Sequence, residues 1–256
     1  MAARPRAAVI LAAGKGTRMK SERAKVLHEA GGRPLLAWVL DAARAARCER
    51  LLVVVGHRSE EVRAAFAGAS DVHWIEQAEQ LGTGHALLQA EPHVAPGELL
   101  LVLSGDVPLL RPETVERVAA AAADGWAAMA VADLAAPGAL GRVVADERGD
   151  LGRIVEARDA NPEELAVQRV NAGLYALPAP GIFGFLHRLE PDNAQGELYL
   201  TDAVNAAAAA GNRVLLVELE DPDEALGVND REELARADRL LSGPRRRPAG
   251  PAQGPG

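Results

Sequence analysis

The sequence has a single cysteine, Cys48, in 256 residues. A lone thiol forms no internal disulfide, which fits a reducing compartment, and a small, partly buried apolar residue is its ordinary role. Aromatic residues make up only 3% of the chain, so Ala, Leu and Val must carry the packing. No apolar run approaches the roughly 18 residues that a membrane span requires. The first run, "AAVILAA" at 7–13, is too short for a secretory leader and lacks its cleavage pattern. Positive charge is also in short supply, with a net charge of −8. A duplex-binding protein presents a basic face, so nucleic acid is not an expected partner, although a local phosphate site stays open. No internal repeat is present. These absences point to a cytoplasmic globular chain without membrane attachment. Its 48% hydrophobic and 25% charged residues are ordinary globular usage.

What is present is an alternation. "AAVILAA" reads as a buried strand ending at Gly14. "RPLLAWVLDAARAA" has helical apolar spacing, "RLLVVVGH" is a second strand, and "SEEVRAAFAG" reads as a helix capped by Ser59 and closed by Gly68. "DVHWIEQ", "GTGHALLQAE" and "ELLLVLSGDVP" continue strand, helix, strand. Such alternation predicts an α/β fold with a parallel sheet covered by helices on both faces, and ligands beyond the carboxyl ends of the strands. After residue 126 the order changes. "WAAMAVADL", the two strands of "GRVVADERGDLGRIVEA" and "RVNAGLYAL" precede helices near 182–189 and 199–210, the strand "RVLLVEL" and a helix near 230–241. The sheet is therefore expected to be mixed but mainly parallel, in one domain over 1–241. The Pro/Gly/Arg-rich residues 242–256 cannot form an apolar face and are expected to be a disordered tail.

The loop "GKGTRM" after the first strand fits neither common glycine motif. A Walker A loop needs four residues between its glycines, and only Lys15 separates Gly14 from Gly16; a dinucleotide fingerprint needs glycine where Met19 stands. What remains is an anion cradle. Glycines let backbone N–H groups turn inward, Thr17 adds a hydroxyl, Arg18 a planar fork and Lys25 a mobile point charge. One phosphate hardly needs so many donors; a triphosphate with a second phosphorylated substrate would use them. Asp106, at a strand end, is the strongest carboxylate candidate for a hard metal ion. Asn229 stands at a helix start and could simply cap it. The spacing of His28, His57 and His85 suggests no zinc site.

"LAAGKGTRM" with "AKVLHEAGGRPLL" resembles the signature of sugar-1-phosphate nucleotidyltransferases. "QAEQLGTGHA", "GDVPLL", "GRVV", "IVEARDA", "VNAGLYA", "DNAQGELYLTD" and "GVNDREELARAD" follow in the order seen in one family. That family is the bacterial bifunctional N-acetylglucosamine-1-phosphate uridylyltransferase/glucosamine-1-phosphate acetyltransferases, and the resemblance spans residues 7 to about 241.

It implies a Rossmann-like nucleotidyltransferase fold and a Mg2+-dependent transfer of UMP from UTP to N-acetylglucosamine 1-phosphate. By resemblance, Arg18, Lys25 and Asp106 are catalytic, and Asp106 and Asn229 hold the metal. Leu11, Ala12, Ala13, Gly14, Gly16, Thr17, Gln77, Gly82, Thr83 and Gly105 take the nucleotide. Ser104, Gly141, Glu156, Asn171, Tyr199 and Thr201 take the sugar. Ser104 stands where some relatives have Tyr, and Leu198 where an aromatic is common. The hexapeptide repeats that carry acetyl transfer and supply most of the trimer contacts in that family are absent from this sequence, so acetyl transfer is not expected of it and the oligomeric state stays open. Another sugar 1-phosphate or nucleotide, such as glucose 1-phosphate with UTP, is the nearest alternative, followed by a regulator that binds without turnover.

Overall fold

The computed structural model describes residues 5–243. The expected tail lies outside these residues except for Ser242 and Gly243. Strand β1 (Arg6–Ala12) leads into the glycine loop, which carries two 3-10 turns, Thr17–Met19 and Lys25–Leu27. A small hairpin, β2 (Glu29–Ala30) and β3 (Arg33–Pro34), turns on Gly31 and Gly32, both at positive φ. Helix α1 (Leu35–Ala45), β4 (Arg50–Val55), α2 (Ser59–Ala65), β5 (Val72–Glu76), α3 (Thr83–Ala90), β6 (Leu99–Ser104) and α4 (Pro112–Ala121) continue the alternation. Strand β7 (Ala127–Asp133) precedes a hairpin, β8 (Arg142–Ala145) and β9 (Leu151–Val155), and a short helix, α5 (Pro162–Leu165). Then come β10 (Arg169–Pro178), α6 (Gly181–Leu186), α7 (Leu200–Ala209), β11 (Val214–Glu218) and α8 (Arg231–Ser242).

The sheet runs β11-β7-β10-β6-β1-β4-β5, with β8 and β9 hung from β10. All strands on this path run one way except β10, which is antiparallel to both β6 and β7. The sheet is thus mixed and mostly parallel, and it passes through both halves of the chain. Strand β1 shows why. Ala7 through Ile10 are fully buried, as a central strand covered on both faces must be. Ala8 and Ile10 pack with α1 and α4 on one face, while Ala7 and Val9 pack with α3, α6 and α7 on the other. Alternation along the strand divides one apolar run between two cores.

Both ends of α2 depart from expectation: it ends at Ala65, with Phe66 rather than Gly68 at the cap position. Ser59 is the first residue of α2 and does not cap it. Arg58 occupies the cap position in a left-handed conformation, with no side-chain hydrogen bond to the helix. The reversal of β10 matters most for the site. It brings the start of that strand, around Asn171, to the same sheet edge as the ends of β1 and β6.

Candidate active site

The loop leaving β1 is pinned by Met19, which is 1% exposed, while its neighbour Arg18 lies exposed on the wall of a cleft. Among the described residues Arg18 has no ion-pair partner. Gly16 has φ +61°, and a Cβ built on it would lie 2.8 Å from the Lys25 Cβ. Glycine is therefore required at 16 on two counts, a left-handed backbone and the lysine stem lying over it. Gly14 faces open space, so its contribution is room for an approaching group.

From that stem the Lys25 ammonium makes a short ion pair with Asp106 Oδ2 and donates to Asn229 Oδ1 at 3.1 Å. The lysine is 81 and 204 positions from these partners. Asp106 sits just past the end of β6, and its carbonyl accepts the Val228 N–H at 2.9 Å, tying the segment before Asn229 to that strand end. Asp230, rather than Asn229, caps α8, accepting from the N–H groups of Glu232 and Glu233 at 2.9 Å. The Asn229 amide nitrogen donates to the Gly227 carbonyl at 3.3 Å, leaving Oδ1 for the lysine. A carboxylate and an amide carbonyl thus converge on one cation. Among the described residues no group of three or more His, Cys, Asp or Glu could hold a metal ion. Two hard oxygens with room for phosphate and water fit the habits of Mg2+ and do not fit a closed zinc site.

Beside this cluster the cleft encloses about 770 Å³ and is lined by Arg18, Thr83, Ser104, Asp106, Gly141, Glu156, Asn171, Tyr199 and Asn229, together with Pro137, Ala139, Leu140 and Ala172. Asn171 is held by its own strand. Its amide donates to the Tyr175 hydroxyl at 2.5 Å and its oxygen accepts the Gly173 N–H at 3.0 Å, across an irregularity where Gly173 has φ +73°. Glu156 lies against Gly141, where a Cβ would come 3.4 Å from the carboxylate. Burial pushes the Glu156 carboxyl above the usual glutamate range. The Thr201 hydroxyl, donating at 2.9 Å, opposes that shift, and the nearby Asp202 and Asp159 reinforce it. Thr201 itself sits behind the wall, buried.

At the end of β5, Gln77 is 2% exposed. Its amide nitrogen lies 3.2 Å from the Gly82 carbonyl, to which it donates, and 2.9 Å from His85 Nδ1. Gly82 and Gly84 press on the 198–199 backbone, with a Cβ at Gly82 only 2.5 Å from the Leu198 carbonyl. The Thr83 hydroxyl accepts the N–H of Leu200, the first residue of α7, at 2.9 Å. These residues stitch α3 to α7. Leu11 and Ala12 end β1 and Ala13 follows it, and the Gly105 N–H donates to the Leu11 carbonyl at 2.9 Å.

Sequence reasoning missed a strap beside Tyr199 on the cleft wall. Arg158 donates to the Gln195 oxygen, Gln195 donates to the Tyr199 hydroxyl at 2.6 Å, and the Ala194 N–H donates to Asp159 at 3.0 Å. The motifs "IVEARDA" and "DNAQGELYLTD" contain all of these residues. It also missed Arg231, whose guanidinium donates to the carbonyls of Met19 and Lys20 at 3.4 Å and holds the glycine loop from α8.

A model of the MobA-like NTP transferase domain matches residues 8–176. The chain is 48% identical over 238 residues to the bifunctional protein GlmU of Pelobacter propionicus, covering 92% of this chain and 52% of that protein. It is 48% identical over 232 residues to the GlmU of Burkholderia orbicola and 44% identical over 232 residues to that of Nitrosococcus oceani, each match covering 91% of this chain and 51% of the relative. The chain therefore spans about half the length of the curated relatives it matches. In fold it is similar to a crystal structure of UDP-glucose pyrophosphorylase complexed with UDP-glucose, with a TM-score of 0.75 at 19% identity, covering 92% of this chain and 98% of that one.

Proposed function

This chain belongs to the MobA-like NTP transferase domain family, and from that premise we propose that it transfers UMP from UTP to N-acetylglucosamine 1-phosphate, releasing pyrophosphate. One observation carries the reading: Lys25, Asp106 and Asn229 converge beside a cleft whose wall holds Ser104, Gly141, Glu156, Asn171 and Tyr199. The kinship to GlmU proteins at 44–48% identity supports the choice of substrates, and the cytoplasm is the setting we assign.

The sugar phosphate oxygen attacks the α-phosphorus of UTP in line. A P–O bond forms there, the bond to the bridging oxygen breaks, and pyrophosphate leaves. Such a reaction asks for positioning and charge neutralisation rather than a side-chain nucleophile. The amides of Gly14 to Thr17 cradle the triphosphate, Arg18 meets the departing pyrophosphate, and Lys25 meets the reacting phosphates. Asp106 and Asn229 would hold Mg2+, which when bound neutralises phosphate charge. With its amide nitrogen committed to Gly82 and His85, Gln77 offers its oxygen, which suits the uracil N3–H. Leu11, Ala12, Ala13, Gly82, Thr83 and Gly105 frame the nucleoside. Glu156, oriented by Thr201, and Asn171 face the sugar hydroxyls, with Tyr199 closing that side. The small apolar wall of Pro137, Ala139 and Leu140 suits the acetyl methyl group.

Chromatographic separation of nucleotide sugars formed from paired substrates tests the assignment. UDP-N-acetylglucosamine from UTP and the acetylated sugar phosphate is the expected product. Faster formation of UDP-glucose would move the substrate, and no product with any pair would favour a binding-only protein.

A further inference from the structure

We propose that Lys25 is a stand-in cation: its ammonium occupies the space between Asp106 and Asn229, and a divalent ion must displace it to bind. The inference rests on the reading that these two residues are the metal's protein ligands. The Asp106 and Lys25 side chains are each 15% exposed, so the carboxylate has little water to balance its charge. The ammonium supplies that balance through the Asp106 ion pair and the 3.1 Å hydrogen bond to Asn229 Oδ1. It also holds two ligands from distant parts of the chain in one place, which preorganises the pair. Mg2+ demands oxygens at roughly 2.0–2.1 Å, and no such ion fits while an ammonium touches the same atoms.

The lysine stem can move only in part. Gly16 packs beneath its Cβ, Cγ and Cδ, so the base of the side chain is fixed and the ammonium moves by rotation about its outer bonds. Displaced from the two oxygens, the ammonium needs another anion, and a triphosphate on the glycine loop provides one. Metal entry and nucleotide entry are thereby coupled: the free protein binds divalent ions poorly, and the nucleotide draws the lysine off the site.

Mn2+ titrations of nucleotide-free protein, followed by electron paramagnetic resonance of the free ion, test this. Removal of a unit charge in direct contact with the ligands should tighten Mn2+ binding by Lys25→Met at least about tenfold over wild type. Adding Asp106→Asn to that variant should abolish the gain. Lys25→Gln, with melting followed by circular dichroism, carries the same prediction should the Met variant fail to fold. Equal or weaker binding by the charge-removed variants overturns the stand-in role. Separately, Asp106→Asn alone is titrated with UTP present. If its protein-bound Mn2+–UTP signal matches wild type, the metal reading itself falls. If that signal is lost while Lys25→Met binds nucleotide-free Mn2+ no tighter, only the stand-in inference falls.

Discussion

Gly16 and Lys25 depend on each other through one contact. Gly16→Ala places a Cβ 2.8 Å from the lysine stem on a backbone with φ +61°. The conformational term costs about 1 kcal/mol, and the clash shifts the lysine stem, misplacing the ammonium that meets the reacting phosphates. Turnover should therefore fall at least about tenfold, while thermal melts show only a modest loss of stability. A loss of stability without a loss of turnover would refute the coupling. Glu156 gives a prediction with a definite sign. Its carboxyl is raised by burial, so the ionised form costs folding free energy. The protonated form favours the fold below the usual glutamate range, and that contribution is lost as pH rises through the raised value. Glu156→Gln should therefore melt higher than wild type at about pH 8 and lose that advantage near pH 4, while turnover falls. Cys48 is simpler. Burial pushes its thiol up to about 11, so a thiol reagent at neutral pH should react slowly with the native chain and fast with the unfolded one.

Among the elements, α3 and α7 show how one motif serves another. Thr83→Val removes the acceptor for the Leu200 N–H at the start of α7, which should cost about 1 kcal/mol in chemical denaturation. Thr83 is expected to meet the nucleoside through its backbone, which the substitution keeps, whereas Tyr199 and Thr201 flank the Leu200 N–H, so KM for the sugar phosphate should rise more than KM for UTP. Equal changes in both would show that α3 and α7 do not set the sugar side. The strands and most helices were legible in the sequence because their signals are local. Four fully buried residues of β1 read as an apolar run, and the α8 start reads as Asn-Asp before a helical pattern. Which residue caps is not local: either fits, and in the fold Asp230 takes the cap while the Val228–Asp106 bond ties the segment before Asn229 to the end of β6. The cap expected of Ser59 failed because Arg58, in a left-handed turn, starts α2 one residue earlier.

At the scale of the molecule, the site exists because of sheet order. Lys25, Asp106 and Asn229 sit at three separate places in the chain, and Asn171 joins them only because β10 enters antiparallel between β6 and β7. Nothing in the apolar spacing of "RVNAGLYAL" distinguishes that direction from a parallel one, since a strand buried on both faces reads the same either way. Family resemblance, rather than periodicity, named Asn229 and the residues expected to take the sugar. The same resemblance could not reveal that Lys25 bridges the two oxygens, a contact between side chains 204 positions apart at its longest. The net charge of −8 adds a further expectation at this scale. With the chain repelling anions overall, the basic loop must provide the local attraction, so KM for UTP should rise with ionic strength.

The most direct measurement is the rate of pyrophosphate release from UTP and N-acetylglucosamine 1-phosphate with Mg2+, for wild type and Asp106→Ala. Rapid release by wild type, lowered about a thousandfold or more in a variant that melts like wild type, is the result expected of a site centred on Asp106. Comparable release by both proteins would contradict that account.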